Sequence, residues 1–318
     1  MNSSQQTHRP DWSKVQKDSF DPKQDKAPGS YFTAPDRHQI YYNIWKPAGT
    51  IRAQVLFFHG IGEHVMRYDH VFKPFAEAGI LVRGMDWRGH GRTVLRNNEA
   101  QAFDYSFDQC FEDMLQLHSI AIDGVPNNLP VFVMGHSMGG LMTLAFVQKK
   151  RDKLPTLRGC IAQAPALKGL RPDGPVHPFL RWAVVNVVGG VLGRVSEPSG
   201  LDLNDINSTD EGVLGYVRDP LNHGRITARL ARDMFRHEDW MTSVAAEFNT
   251  PVLLCHNFND KITDAVASNG FVDAAASVDK TFVGFDAAMG LGHELHNEPS
   301  INQDLFKKYI GWILERAN

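Results

Sequence analysis

Residues 131–141 read Val131-Phe132-Val133-Met134-Gly135-His136-Ser137-Met138-Gly139-Gly140-Leu141. Four consecutive apolar residues form the kind of run expected of a strand covered on both faces. Behind them, Leu141, Leu144, Ala145 and Phe146 line a helix. Between strand and helix lies a G-x-S-x-G pentad, Gly135 to Gly139, in the context that a nucleophile elbow needs. The turn is tight, so the neighbours of Ser137 have no room for side chains. The serine hydroxyl is lifted out of the sheet, and the N-terminus of the following helix favours negative charge developing there. Leu129 to Val147 carries no formal charge and so imitates a membrane span. Pro130, Gly135, His136, Ser137, Gly139 and Gly140 interrupt it, and a strand–turn–helix accounts for all six.

The same alternation extends in both directions. Tyr31–Thr33 and Ile40–Trp45 are β-branched and aromatic around a Pro35-Asp36 turn signal, which predicts an antiparallel hairpin. Val55–Phe58 and Ile80–Val82 read as strands with a helix through Val71, Phe72 and Phe75 between them. Phe107, Cys110, Phe111, Met114 and Leu117 mark a helix that Ser106 and Gln109 start with a capping box. Cys160–Ala162 is the next strand. The rhythm stops near Pro165 and resumes at Pro251–Leu254, with a helix over about 264–276 and a strand at Thr281–Val283. Ser300 and Gln303 predict a second capping box at the last helix. Such alternation gives an α/β fold, a mostly parallel sheet with helices on both faces. The predicted organisation is a flexible extension over 1–29, a core over 30–165 and 246–318, and a helical cap inserted over 166–245.

Within that insertion, Leu180, Val184, Val185, Val187, Val188, Val191, Leu192 and Val195 fall on one helical arc. Asn186, Gly189, Gly190 and Gly193 fall opposite. Arg181 and Arg194 bracket an uncharged run from Trp182 to Gly193. Helix of that length reaches about 18 Å against a hydrocarbon core of about 30 Å. The segment is too short to span a bilayer, but it suits lying on one or walling an acyl pocket.

Composition narrows the class. The 318 residues include 33 Lys and Arg against 36 Asp and Glu, a net charge of −3, which argues against a nucleic-acid binder. Cys110, Cys160 and Cys255 are odd in number and widely spaced, with no CxxC. They read as reduced structural cysteines in a cytoplasmic setting. Residues 1–30 lack Leu and Ile, so no signal-peptide core is present and the stretch is expected to stay flexible.

A serine hydroxyl needs a base, and the base needs an acid to hold it. In this fold class the chain order is Ser, acid, His. Asp260, in Asn259-Asp260-Lys261-Ile262, follows a strand, with Asp264 as its rival. His293 follows the last strand, with His296 as its rival. His293-Glu294-Leu295-His296 is HExH rather than the zinc-binding HExxH. For the oxyanion, one backbone N–H should come from Met138. The other should come from the loop His59-Gly60-Ile61-Gly62-Glu63-His64, with Ile61 as donor. His59 and His64 read as supporting packing.

These blocks together resemble the monoacylglycerol lipase family of serine α/β-hydrolases. His59–His64 with Arg67-Tyr68 resembles its HGxGEHxxRY block, and Asp86-Trp87-Arg88-Gly89-His90-Gly91-Arg92 its DxRGHGxS block, with Thr93 in place of Ser. Gly135–Gly140 is identical to its GHSMGG elbow. Pro165-Ala166-Leu167 resembles the start of its cap, and Asp219-Pro220-Leu221 with His223-Gly224 the end. The resemblance spans about residues 30–316. It implies an eight-stranded sheet, a helical cap and a Ser137–Asp260–His293 triad without cofactor or metal. It also implies hydrolysis of monoacylglycerols to fatty acid and glycerol at a membrane or droplet surface. A broader carboxylesterase or lysophospholipase, or more remotely a proline-iminopeptidase-like peptidase, would use the same machinery. Ala287-Ala288-Met289-Gly290 makes the loop before His293 about three residues longer than the family's usual spacing.

Overall fold

The computed structural model describes residues 10–102, 105–169 and 178–317, with the backbone alone for Pro178 and Phe179. Residues 1–9 of the expected extension, 103–104 of the expected core and 170–177 of the expected cap therefore lie outside the described residues, as does the Phe179 side chain.

The chain opens with β1 (Ser30–Thr33) and β2 (Gln39–Trp45), the antiparallel hairpin read from the sequence. There follow β3 (Ala53–Phe58), α1 (Asp69–Glu77), β4 (Ile80–Met85), α2 (Gly91–Asn97), α3 (Phe107–Ser119), β5 (Val131–His136), α4 (Met138–Lys150) and β6 (Leu157–Gln163). An intervening segment carries α5 (Pro178–Ala183), a π-helical stretch (Val184–Val188), α6 (Gly189–Val191), β7 (Ser196–Pro198), α7 (Asp210–Arg218), β8 (Arg225–Thr227) and α8 (Ala228–Ser243). The fold closes with β9 (Val252–Asn257), α9 (Ala265–Ala274), β10 (Lys280–Phe285) and α10 (Asn302–Arg316).

Among the described residues, eight strands form one sheet in the order β1-β2-β4-β3-β5-β6-β9-β10, parallel from β4 to β10. Strand alternation splits the core in two. Leu56, Phe58, Val131 and Val133 face one side with Phe111, Phe146 and Leu254. Val55, Phe57, Phe132 and Met134 face the other with Phe72, Tyr309 and Trp312. Every residue of β3 and β5 is buried, as continuous apolar strands require. Leu129–Val147 is thus strand, turn and helix. Among the described residues no helix is long and apolar enough to cross a membrane.

Three expectations change. Residues 10–29, expected to be flexible, lie against the body. Trp12 is buried and donates from Nε1 to Asn204 Oδ1 at 2.8 Å, Lys17 Nζ donates to Asp219 O at 2.8 Å, and Asp25 pairs with Arg92 at 2.6 Å. One tryptophan and these specific polar contacts supply what the composition of the stretch lacks. The capping box expected at Ser300 and Gln303 does not form. The helix starts at Asn302, whose N–H is taken by Glu298 O, and no side chain caps it. The valine-rich segment is not one regular helix. Its β-branched residues and glycines pass through a π-helical stretch, where the ladder slips by one residue. By contrast, the box at Ser106 and Gln109 is complete.

Candidate active site

Strand β5 delivers Ser137 to the carboxyl edge of the sheet. Its φ of +56° and ψ of −121° lie outside the regions L-residues favour, the strain an elbow stores. The surroundings enforce it: a methyl on Gly139 would run into the Phe58 carbonyl, and one on Gly135 into the Gly139 carbonyl. Met138 is the first residue of α4, so its amide belongs to the positive end of that helix.

Asp260 sits just beyond β9 and His293 beyond β10. His293 Nδ1 donates to Asp260 Oδ2 at 2.6 Å. His293 Nε2 is buried without a hydrogen-bond partner, and His293 and Ser137 line one small cavity with Ile61, Gly60 and Ile262. The Asp260 carboxylate is well served. Oδ1 accepts from the Ile262 N–H at 2.7 Å and the Thr263 N–H at 3.1 Å, and Oδ2 from Thr263 Oγ1 at 3.1 Å and His256 Nε2 at 3.0 Å. Burial pushes the Asp260 carboxyl up, but the charge of His293 and the donated hydrogen bonds outweigh it and hold it well below the usual carboxylate range. Burial likewise works against charge on His293, yet Asp260 beside it raises the imidazole above 6.5. The rivals go elsewhere. Asp264 caps α9 and pairs with Lys168. His296 stacks on Tyr68 and meets Gln163 Nε2 at 2.9 Å through Nδ1.

The loop after β3 is locked by a charge network that sequence reasoning missed. Glu63 Oε1 accepts the Gly60 N–H at 2.5 Å and the Tyr68 hydroxyl at 2.5 Å. Arg67 bridges Glu63 at 2.5 Å and Glu294 at 2.6 Å and lies over the Tyr216 ring. Burial penalises the Glu294 carboxylate, but the charge of Arg67 keeps it below its ordinary range. With Gly60 N–H engaged, Ile61 is the next residue along the loop, and it lines the cavities beside Ser137. The i, i+4 spacing of Glu63 and Arg67 was the signal available. His59 and His64 support as expected: His59 Nε2 accepts the Trp87 N–H, and His64 Nε2 pairs with Asp219 at 2.8 Å.

The segment between β6 and β9 touches the loops that hold these residues. Asp205 O accepts the His293 N–H and Ile206 O the Glu294 N–H, both at 2.9 Å, while His223 N–H donates to Gly62 O at 2.7 Å. Above Ser137 this segment encloses a cavity of about 640 Å³, lined by Val184, Val188, Val195, Ile226, Met234 and Phe235 among others. Outside it, Leu180, Trp182, Val187, Val191 and Leu192 are exposed, Val191 to 79%. The stretch before His293 that was expected to lengthen the loop forms a 3-10 turn, Ala287–Met289, ending at Gly290 with φ +64°.

Comparison with known proteins agrees with this architecture. Residues 49–300 match the family described as Serine aminopeptidase, S33. A monoacylglycerol lipase of Mycolicibacterium smegmatis is 33% identical over 262 residues, covering 82% of this chain and 88% of that protein. An uncharacterized abhydrolase domain-containing protein of Dictyostelium discoideum is 34% identical over 88% of this chain, which spans only 28% of that relative's length. The crystal structure of Paleococcus ferrophilus monoacylglycerol lipase superposes with a TM-score of 0.75 at 25% identity, covering 87% of this chain and 99% of that one. An elbow seated in this sheet order and a family match over most of the length lead to one conclusion: the chain belongs to the Serine aminopeptidase, S33 family and is an α/β-hydrolase of the monoacylglycerol lipase type.

Proposed function

We propose that Ser137, His293 and Asp260 act as nucleophile, base and acid in the hydrolysis of monoacylglycerols to fatty acid and glycerol. Ser137 Oγ attacks the ester carbonyl while His293 Nε2 takes its proton. Asp260 fixes the tautomer with Nδ1 protonated and supports the imidazolium that forms. The amides of Ile61 and Met138 receive the oxyanion. His293 returns the proton to the departing glycerol oxygen, leaving the acyl group on Ser137. Water then attacks this ester through the same base, and Ser137 is regenerated. The observation that carries the reading is His293 itself: Nδ1 is held by Asp260 at 2.6 Å, and Nε2 is buried, unpartnered and beside the Ser137 cavity.

The apolar cavity supports an acyl substrate, and the exposed face from Leu180 to Leu192 supports peripheral contact with a membrane or lipid droplet. In this reading residues 166–245 act as the cap. An aminopeptidase needs a carboxylate for the substrate's ammonium. Among the described residues, three carboxylates line the cavity: Glu238 and Asp239 are both paired with Arg181, at 2.8 and 2.6 Å, and Glu197 is exposed. The test is a panel of mono-, di- and triacylglycerols, lysophospholipid, short p-nitrophenyl esters and a prolyl arylamide. Monoacylglycerol turnover that vanishes in Ser137→Ala is the expected result. Preference for lysophospholipid or arylamide would replace the substrate assignment.

A further inference from the structure

The acid of the triad has a second histidine on it. His256, in β9, is fully buried, and its Nε2 lies 3.0 Å from Asp260 Oδ2, the same oxygen that accepts from His293 Nδ1. The other ring nitrogen, Nδ1, lies 2.9 Å from Ser268 Oγ in α9, also fully buried. A carboxylate only accepts, so His256 Nε2 carries the proton toward Asp260. Its Nδ1 then accepts from the Ser268 hydroxyl, which has the same effect on His256 that Asp260 has on His293: it fixes the tautomer.

We propose that His256 is a positioning residue for Asp260, set by Ser268, and that it lowers the basicity of the His293–Asp260 pair. The proposal rests on the triad reading above. Each donor on Oδ2 withdraws negative charge from the oxygen that stabilises the His293 imidazolium. Hydrogen bonds in a chain polarise one another, so the Ser268 hydroxyl makes His256 a better donor. Other groups around His293 are Glu294 and Glu63, which favour its charge, and His136 and His296, which burial holds well below the ordinary imidazole range. None of these four contacts His256, so the effect of His256 can be separated from theirs.

The sign follows directly. Removing the His256 donor leaves more charge on Asp260 for His293, so His293 stays protonated to higher pH. The acid limb of kcat/KM for a soluble p-nitrophenyl ester should move upward. His256→Leu should shift it by about one pH unit and lower kcat about tenfold, with KM within about twofold. Ser268→Ala, a smaller change that keeps the ring, should shift it the same way by less. His256→Gln, whose side-chain amide can reach the Nε2 position, should restore the wild-type limb. An unmoved limb in Ser268→Ala together with either an unmoved limb or failed folding in His256→Leu would overturn the proposal, as would His256→Gln with a limb displaced as far as Leu. Failure of the triad reading would look different: Ser137→Ala would retain turnover in the same assay.

Discussion

Two uncharged apolar runs of this chain have opposite fates. Leu129–Val147 is buried almost throughout, whereas much of Trp182–Gly193 is exposed. Their glycines explain the difference. At the elbow, Gly135 and Gly139 give backbone access to backbone, so strand, turn and helix close on one another and every apolar side chain is enclosed. In the second run, Gly189 and Gly193 face helix α8 and press against the aliphatic stems of Arg232 and Arg229. That close approach turns Val187 and Val191 toward solvent and leaves Val184 and Val188 to wall the cavity. One run is enclosed because its glycines let backbone pack on backbone. The other keeps an exposed apolar surface, the one proposed above to meet lipid.

Substitutions that attack the two regions should therefore separate chemistry from surface binding. The largest loss is expected for Asp260→Asn, about 10⁴-fold in kcat with the fold intact by circular dichroism, because the histidine tautomer is lost. Next comes Gly139→Ala. Its methyl meets the Phe58 carbonyl, so turnover should fall about 100-fold and stability by about 1–3 kcal/mol in a denaturant titration. In the wild type, kcat/KM should fall about tenfold per pH unit below the His293 pKa, since only neutral imidazole accepts the serine proton. Because Asp260 raises that pKa, the limb should lie above 6.5. The smallest catalytic effect belongs to the outer run. Val187→Asp with Val191→Asp should leave soluble-ester turnover within about twofold while reducing binding in a vesicle flotation assay about tenfold. Unchanged flotation would remove the lipid-surface role and leave the valine face without a function.

The sheet and the elbow were legible because both rest on local patterns, the alternation of strands and the glycines around Ser137. Asp260 and His293, the proposed acid and base, were nominated by their order and by the strands they follow, and the fold brings them within 2.6 Å of each other. Their supports were not legible. His256 carries no local mark that distinguishes it from a packed core histidine. Asp205 and Ile206 hold the His293 loop through backbone carbonyls, which leave no trace in side-chain identity. Arg67 reaches Glu294 across more than two hundred residues, a pairing that only the folded chain brings about. The contacts of residues 10–29 were not legible, because composition averages hide single anchors such as Trp12 and Lys17.

The central claim is that Ser137 is the nucleophile, and covalent labelling addresses it most directly. The protein should be treated with a fluorophosphonate, digested, and the adduct mapped by mass spectrometry. A single adduct on Ser137, absent from Ser137→Ala and slowed in Asp260→Asn, is the predicted outcome. An adduct on another residue, or labelling of Ser137→Ala at the wild-type rate, would contradict the account.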